Sequence, residues 1–580
     1  MHAPLRKSAP EEKPVNGVAG LKQWRYDIRA GLLVSLISLP FSLGIAVASG
    51  APPIAGLTSS IIAGLIFPFL GGANVTISGP AAGLAPVLLA SMLTLGGGDL
   101  AKGYPLLLVV ICMAGCVQIV LSLLKAARFC AIFPSSVIEG MLAAIGLLII
   151  VKEIPHLTGH AFEAHEFFGI LAEVPSAIGM MNPQALIIGV VCLAFIFALS
   201  VAKATWLKVV PPQVLAVALG TGLGLLMGID DQYRIHLPEN PLQRGLVLPN
   251  FAGLFADHSL WFTAAATVVT LTLIDGIESL ATVMAIDKID PFHRKSNPNR
   301  ILLAMGISNI CSSVVGGLTI IPGGVKSTTC ILAGGRTLWA NFYNAVFLLV
   351  FLLLACSMIN LIPFAALAAV LIFTGYKLCQ PSVWKHVTHV GREQCLVFAV
   401  TVLTTLYTDL LVGIGCGIAA KLLVNVWFAS TVDRRRAAVG DAALARRGPA
   451  GLSRWFEEFS NPVTRHELTG DAYHVYFGKP LVCFNSLHVS RELSHVPPEA
   501  RAIFLHLTDA VTLVDHTSCD NLIHYAEEHN ANGGARVEIV GMERMCRRSE
   551  FATCMRLGLP DEVREDAASP AGAASGLLPH

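Results

Sequence analysis

One stretch of the sequence, Leu271 to Leu338, decides the fold, and it reads LTLIDGIESLATVMAIDKIDPFHRKSNPNRILLAMGISNICSSVVGGLTIIPGGVKSTTCILAGGRTL. Residues 316–327 of this stretch contain too many Gly and Pro residues for one regular helix, although apolar segments flank them. Irregular backbone survives at membrane depth only where it lines a cavity within the protein. A short apolar segment that Gly and Pro interrupt is therefore a sequence marker for a binding site inside the membrane.

The composition places most of the chain in lipid. Of its 580 residues, 54% are hydrophobic and only 14% are charged, and the mean hydropathy is +0.65. Soluble proteins carry about 25% charged residues. Apolar runs long enough to cross about 30 Å of hydrocarbon recur from residue 28 to residue 430. We therefore expect a polytopic α-helical membrane protein in contact with membrane lipid, and the net charge of +1 argues against nucleic acid as a partner.

The distribution of Lys and Arg predicts the orientation in the membrane. The N-terminal arm is itself basic, and further basic clusters recur along the chain at Lys125/Arg128, Lys203/Lys208, Arg294/Lys295/Arg300, Lys377/Lys385/Arg392 and Arg434–Arg436. Such clusters stay in the cytoplasm. The connection from Glu153 to Glu173 is acidic and poor in Lys and Arg, which is typical of the opposite side. We expect both termini in the cytoplasm, an even number of crossings, and a location in the inner or plasma membrane.

About fourteen apolar segments can be distinguished, and the two short ones are the third and the tenth. Corresponding broken segments predict a seven-plus-seven inverted repeat. After residue 430 the pattern changes to strands that alternate with helices, which indicates a small α/β domain. The predicted domain order is a cytoplasmic arm at 1–27, a transmembrane transport domain at 28–430, a linker at 431–466, the cytoplasmic α/β domain at 467–561 and a disordered tail at 562–580.

Two Gly/Pro-rich turns, at residues 77–83 and 322–327, have the composition of an anion site. If each opens a half-helix inside the membrane, free N–H groups and positive dipole ends face one cavity. Lys326 adds a full positive charge, and intramembrane charges are usually functional. Ser78, Thr319 and Ser327 offer hydroxyl donors. The expected ligand is a small oxyanion.

Asp275, Glu278 and Thr282 are spaced three and four residues apart, so they share one face of an apolar helix. Glu278 has three candidate roles: a countercharge for Lys326, a proton carrier, or part of a Na⁺ site built from oxygen atoms. We expect no metal or organic cofactor, and Na⁺ or H⁺ as the candidate coupling ion.

The segments Ile277–Leu280, Asn297–Arg300 and the Gly-Gly…Lys-Ser run also resemble the sulfate permease (SulP) family of anion transporters. The resemblance extends from about residue 21 to residue 559. It implies fourteen membrane segments in two inverted repeats, a core and a gate domain, a cytoplasmic STAS domain, homodimers, and an elevator-like movement of the core.

The resemblance also implies site residues. The anion would lie between the N-termini of the third and tenth segments, with Phe41 of the first segment facing it. By position these residues are Ser78, Gly79, Pro80 and Ala81 on one side and Thr319, Lys326 and Ser327 on the other. Glu278 matches the acidic residue of the eighth segment, and Thr282 occupies a position that helps to bind Na⁺ in bicarbonate-transporting members.

The sequence departs from the family pattern at several of these positions. Phe41 replaces a polar Gln, and Lys326 stands where Arg is usual, which gives a point charge instead of a planar fork. Ile320 and Pro322 replace residues that are small in Na⁺-coupled members. In the STAS-like region, His516 takes the position that is phosphorylated in soluble relatives, so a phosphorylation switch is not expected there.

The leading hypothesis is a secondary active transporter, such as a symporter, of sulfate or bicarbonate. One alternative is a nucleobase or organic-anion permease of the same fold. Nucleobase permeases place a second carboxylate in the tenth segment to bind a neutral base, and Lys326 argues against that class. Another is an anion channel or a membrane protein that signals through its STAS-like domain. An enzyme is the least supported class.

Overall fold

The fold is described from a computed structural model. The structure describes residues 13–126, 133–164, 166–202, 211–238, 246–292, 294–438, 458–497, 499–531, 535–542, 545–547 and 555–557. The structure does not describe much of the predicted linker, the predicted tail, or Arg128, Lys203 and Lys208 of the basic clusters.

Helices dominate the described part of the chain. They are α1 (Trp24–Ala48), α2 (Pro53–Leu70), α3 (Ala85–Leu95), α4 (Leu100–Leu123), α5 (Ser135–Lys152), α6 (Ile154–Thr158), α7 (Phe167–Ala177), α8 (Pro183–Val201), α9 (Pro212–Leu226), α10 (Phe251–Ala256), α11 (Trp261–Ile289), α12 (Pro298–Val314), α13 (Gly324–Leu332), α14 (Trp339–Leu354), α15 (Cys356–Ile359), α16 (Phe364–Leu378), α17 (Pro381–Val390), α18 (Arg392–Tyr407), α19 (Leu410–Ala438), α20 (Ser486–Leu493) and α21 (His516–Ala531).

The apolar helices confirm the predicted class of a polytopic membrane protein. Within the described residues, seven helices are long and apolar enough to cross a membrane, and four apolar helices are shorter. Each of the fourteen predicted apolar segments has its own helix, and the helices of the third and tenth segments are short. Helix α3 has 11 residues and α13 has 9, whereas α4 has 24. At 1.5 Å per residue, α3 and α13 are half-helices that cannot span the bilayer.

A short strand precedes each half-helix, which the sequence analysis did not predict. Strand β1 (Ser78–Pro80) pairs antiparallel with β2 (Ile320–Pro322), so that Gly79 lies opposite Ile321. Each strand ends in a proline, which has no N–H group to continue a ladder. Three paired residues are too few to show the alternating pattern that identifies a strand in a sequence.

The chain divides into two compact units: Met1–Ala127 with Ile145–Leu378, and Arg128–Ala144 with Cys379–His580. The second unit contains α17, α18, α19 and a small α/β domain. The strands of that domain are β3 (Val463–Thr469), β4 (Ala472–Phe477), β5 (Ala502–Leu507), β6 (Leu513–Val514), β7 (Arg536–Val540), β8 (Met545–Arg547) and β9 (Met555–Leu557).

The main sheet of the α/β domain has the order β3-β4-β5-β7, in which only the β3–β4 pair is antiparallel. Strands β4, β5 and β7 and helix α21 confirm the predicted small α/β domain. Alternate residues of the strands, such as Val475 and Leu505, are buried in one apolar core. Strand β3 begins at Val463, before the predicted domain start at residue 467.

Candidate functional site

The two half-helices start from the paired strands β1 and β2, and hydrogen bonds fix that crossing. The N–H of Gly323 donates to the carbonyl of Ile77 at 2.9 Å. The N–H of Ile77 donates to Ser327 Oγ at 3.0 Å, and Ser327 Oγ donates in turn to the carbonyl of Gly323 at 2.6 Å. The Ser327 hydroxyl, which the sequence analysis assigned to the anion, therefore already holds β1 against the first turn of α13.

Lys326 lies in the first turn of α13 and is 4% exposed. Its Nζ donates to Ser42 Oγ at 3.2 Å and to Ser60 Oγ at 3.4 Å, and these two hydroxyls lie 2.7 Å apart. Among the described residues, no carboxylate oxygen lies within 4 Å of this ammonium. A buried charge without a countercharge is costly, and a negatively charged ligand would offset that cost.

Gly79 makes room for that ammonium. A Cβ atom at Gly79 would lie 2.8 Å from Lys326 Nζ and 2.7 Å from Ser60 Oγ. Real Cβ atoms do not approach polar atoms so closely, because the contact is repulsive. A side chain at this position would displace the ammonium, so the glycine predicted for the site has a steric function here.

Two of the predicted hydroxyl donors are buried without a partner. The hydroxyls of Ser78 and Thr319 are 0% exposed and form no hydrogen bond with any described residue. An unpartnered buried polar group costs about 1–3 kcal/mol, and a bound oxyanion would offer it an acceptor. The other residues predicted for the site are also located. Pro80 is the last residue of β1 and Ala81 follows it, and Phe41 is 4% exposed in α1, next to Ser42.

Helix α11 passes both half-helix N-termini. Glu278 lies beside the turn that leads into α3, because a Cβ atom at Gly83 would be 2.6 and 2.9 Å from its carboxylate oxygens. One turn further, the Thr282 methyl group would be 3.7 Å from a Cβ atom at Gly324, the first residue of α13. No ion pair within 4 Å joins Glu278 to Lys326 among the described contacts, so the carboxylate is not a direct countercharge for the ammonium in this structure.

Asp275 lies three residues before Glu278 but in different surroundings. It is 0% exposed, and its Oδ2 atom accepts hydrogen bonds from the side-chain amides of Gln118 at 3.0 Å and Asn309 at 3.5 Å. The sequence analysis grouped Asp275 with Glu278 and Thr282, and the structure gives it a separate set of partners.

Sequence reasoning missed Ser42, Ser60, Gln118 and Asn309. All four are polar residues within apolar helices, 0% exposed in the structure, and that pattern was the available signal. Nothing in the sequence showed that side chains from α1 and α2 meet Lys326, because this proximity arises only in the folded core.

Comparison with known proteins identifies relatives of this architecture. The model of the sulfate permease family matches residues 24–401. The chain is 26% identical over 524 residues to the bicarbonate transporter BicA of Synechocystis, which covers 90% of this chain and 89% of that protein. It is 25% identical over 529 residues to the putative sulfate transporter YvdB of Bacillus subtilis, which covers 90% of this chain and 92% of that protein.

A solved structure agrees with the helical arrangement. The transmembrane domain of a cyanobacterial bicarbonate transporter BicA superimposes with a TM-score of 0.61 and 25% sequence identity. The match covers 69% of this chain and 98% of that domain.

Proposed function

The chain belongs to the sulfate permease family, and on that premise we propose that it is a secondary transporter of a small inorganic oxyanion, with bicarbonate preferred over sulfate. The observation that carries the proposal is the Lys326 ammonium. It lies at the start of a half-helix, 96% buried, with two hydroxyls and no carboxylate as described neighbours. The family is one of permeases, so we assign no enzymatic activity.

The charges at the site support a monoanion. Lys326 supplies one full positive charge, and the half-helix dipoles contribute only partial charges. A monoanion would neutralise the ammonium, whereas a dianion would leave excess negative charge in a medium of low dielectric. Bicarbonate could also accept hydrogen bonds from Ser78 and Thr319, whose hydroxyls have no described partner. The chain resembles a bicarbonate transporter and a putative sulfate transporter to the same extent, so the preference for bicarbonate rests on the charges at the site.

Glu278 and Thr282 are the residues that we assign to the coupling ion, Na⁺ or H⁺. Both supply oxygen atoms, and α11 places them beside the starts of α3 and α13. Binding of a cation there would offset the charge of the anion, so the two ions would favour each other. We further propose that the core carries both ions across the membrane in an elevator-like movement. The homodimer, the cytoplasmic termini and the inner or plasma membrane remain predictions.

The test is uptake into proteoliposomes of labelled bicarbonate, at alkaline pH, and of labelled sulfate. Each anion is measured with a Na⁺ gradient, with a proton gradient and with neither. We expect saturable bicarbonate uptake that exceeds sulfate uptake and depends on one of the gradients. Loss of that dependence in Glu278→Gln would assign the coupling ion to this carboxylate. Uptake of neither anion, or uptake of labelled uracil in their place, would contradict the proposal.

A further inference from the structure

Three buried side chains from three helices form a hydrogen-bonded cluster close to β2. They are Gln118 of α4, Asp275 of α11 and Asn309 of α12, each 0% exposed. Gln118 Nε2 donates to Asp275 Oδ2 at 3.0 Å. Asn309 Nδ2 donates to Gln118 Oε1 at 2.9 Å and to Asp275 Oδ2 at 3.5 Å. Both amides therefore direct N–H groups at one oxygen of the carboxyl group.

The cluster ends on the backbone of the candidate anion site. Asn309 Oδ1 accepts the N–H of Ile320 at 2.6 Å. Ile320 is the first residue of β2 and lies opposite Pro80, which has no N–H group. Strand β2 leads within a few residues to α13 and to Lys326. A displacement of Ile320 would therefore move the start of the half-helix that carries the ammonium.

The carboxyl group of Asp275 determines which way the amides point. A side-chain amide can rotate by 180°, which exchanges its oxygen and its nitrogen. Asn309 holds Ile320 only in the orientation that directs Oδ1 at the backbone and Nδ2 at Asp275 and Gln118. An acceptor at position 275 favours this orientation chiefly through Gln118: it accepts Gln118 Nε2, which leaves Gln118 Oε1 to accept Asn309 Nδ2. Without that acceptor, a flipped Gln118 would direct its Nε2 at Asn309 Nδ2, donor against donor, and a flip of Asn309 that relieved this contact would direct Nδ2 at the Ile320 N–H.

We propose that Asp275 is a positioning residue of the anion site, and that it acts as a hydrogen-bond acceptor rather than as a carrier of the coupling ion. Through the orientation of Asn309 it holds the Ile320 N–H, and thereby β2 and the start of α13. Its other oxygen, Oδ1, has no hydrogen-bond partner among the described residues. An Asn side chain can supply the one acceptor oxygen that the cluster uses. The effect on transport rests on the proposed function, whereas the effect on β2 does not.

The first test is backbone hydrogen exchange of the purified full-length protein in detergent, followed in overlapping peptides that contain Ile320. We expect Asp275→Ala and Asn309→Ala to increase exchange at Ile320 by about tenfold or more, because each removes the acceptor arrangement of that N–H. Asp275→Asn should exchange as the wild type does. The double variant Asp275→Ala/Asn309→Ala should exchange no faster at Ile320 than Asn309→Ala alone, because both substitutions act on the same hydrogen bond, from the Ile320 N–H to Asn309 Oδ1. Ser279→Ala, a buried change on the same helix, is the control.

The second test is the concentration dependence of labelled bicarbonate and sulfate uptake by the same variants. Asp275→Ala should raise KM by about tenfold, equivalent to about 1.4 kcal/mol, with little change in maximal rate, and Asp275→Asn should restore both values.

Slow exchange at Ile320 in Asp275→Ala would overturn the proposal. So would fast exchange in Asp275→Asn, or normal exchange in Asp275→Asn with lost transport, which would show that the carboxyl group itself is required. If Asp275→Ala does not fold, the exchange at Ile320 in Asn309→Ala and in Asp275→Asn tests the proposal. If the wild type transports neither anion, the proposed function fails and the exchange result still decides the role of Asp275.

Discussion

The two units of the molecule each bury a lysine, and the two ammonium groups have different neighbours. Lys326 in the first unit is 4% exposed, and Lys421 in the second unit is 2% exposed. Lys326 Nζ contacts the hydroxyls of Ser42 and Ser60. Lys421 Nζ lies 3.5 Å from Asp515 Oδ2, and both side chains of that pair are buried. One buried charge has a countercharge within the protein, and the other has none among the described residues.

The surroundings of Asp515 support this distinction. Besides Lys421, it accepts the backbone N–H groups of Cys483 at 3.0 Å and Ser518 at 2.9 Å. Burial opposes ionisation, but the Lys421 ammonium and these N–H groups hold the pKa of Asp515 below its usual value. Such a pair fixes α19 to the α/β domain within the second unit. Lys326 has no comparable set of acceptors, which is why we assign it to anion binding rather than to structure.

The largest expected effect is on stability, at the paired lysine. Lys421→Met leaves the Asp515 carboxylate buried without its countercharge, and breaking such a pair costs about 3–5 kcal/mol. We expect a clearly lower melting temperature of the purified protein in detergent. Lys421→Arg, which keeps the charge, should lower the melting temperature much less. A melting temperature of Lys421→Met equal to that of the wild type would show that the pair does not stabilise the second unit.

At Lys326, which has no described countercharge, we expect the substitution to Met to change the stability in the opposite direction. Lys326→Met removes a buried charge that has no countercharge, and Ser42 and Ser60 can still hydrogen-bond to each other at 2.7 Å. In the absence of anion, the free energy of unfolding should rise by about 1 kcal/mol or more. The measurement is the same melting experiment in a buffer without small oxyanions. Destabilisation as large as that of Lys421→Met would mean that Lys326 has an internal partner.

Glu458 makes the second unit sensitive to pH. Its Oε2 accepts a hydrogen bond from Asn425 at 3.4 Å. Burial, with the negative charge of Asp515 adding to it, raises the pKa of Glu458 to about 8 from 4.5, although Asn425 and Lys421 oppose the shift. The Lys421 ammonium lowers the pKa of both carboxyl groups, but at Glu458 it does not offset the effect of burial. Between pH 4.5 and about 8 the folded state binds more protons than the unfolded state, so stability falls as the pH rises.

This falling stability should have a slope on the order of 1 kcal/mol per pH unit in the upper part of that range. Glu458→Gln, which cannot ionise, should flatten the dependence. Denaturant unfolding of both proteins at a series of pH values measures it. An equally steep slope in Glu458→Gln would assign the titration to another group.

The smallest expected effect concerns the hydroxyl neighbours of Lys326. Ser42→Ala removes one of two neutral acceptors, and a single hydrogen bond contributes about 0.5–1.5 kcal/mol. The KM for bicarbonate should therefore change by roughly twofold to tenfold, without loss of the fold. Ser38→Ala, one turn earlier in α1 with an unpartnered hydroxyl, is the matched control. Equal effects of the two substitutions on the KM would show that Ser42 has no specific role at the site.

The sequence was informative where a feature of the structure depends only on residues that are close together in the chain. Gly and Pro residues at 316–327 predicted a half-helix, because they are unfavourable in an ordinary spanning helix. The binding role of Lys326, inferred from a charge at membrane depth, stays a prediction. Strands β4, β5 and β7 of the α/β domain were predictable from the pattern of their apolar residues. These elements need no knowledge of distant residues.

Contacts between helices were not predictable in the same way. Ser60 lies 266 residues from Lys326, and Gln118 lies 157 residues from Asp275. Glu278 was open to three roles from the sequence, and only the fold places it beside Gly83 rather than beside Lys326. Spacing along α11 put Asp275 and Glu278 on one face, but it could not show that their partners come from different helices.

The most direct test of the account is the initial rate of labelled bicarbonate uptake into proteoliposomes by the wild type and by Lys326→Met, both checked for folding by their melting curves. If the unpaired ammonium binds the anion, Lys326→Met should be slower by about 100-fold, since a charge-assisted contact contributes up to about 3 kcal/mol. Uptake at the rate of the wild type by a well-folded Lys326→Met protein would contradict the account.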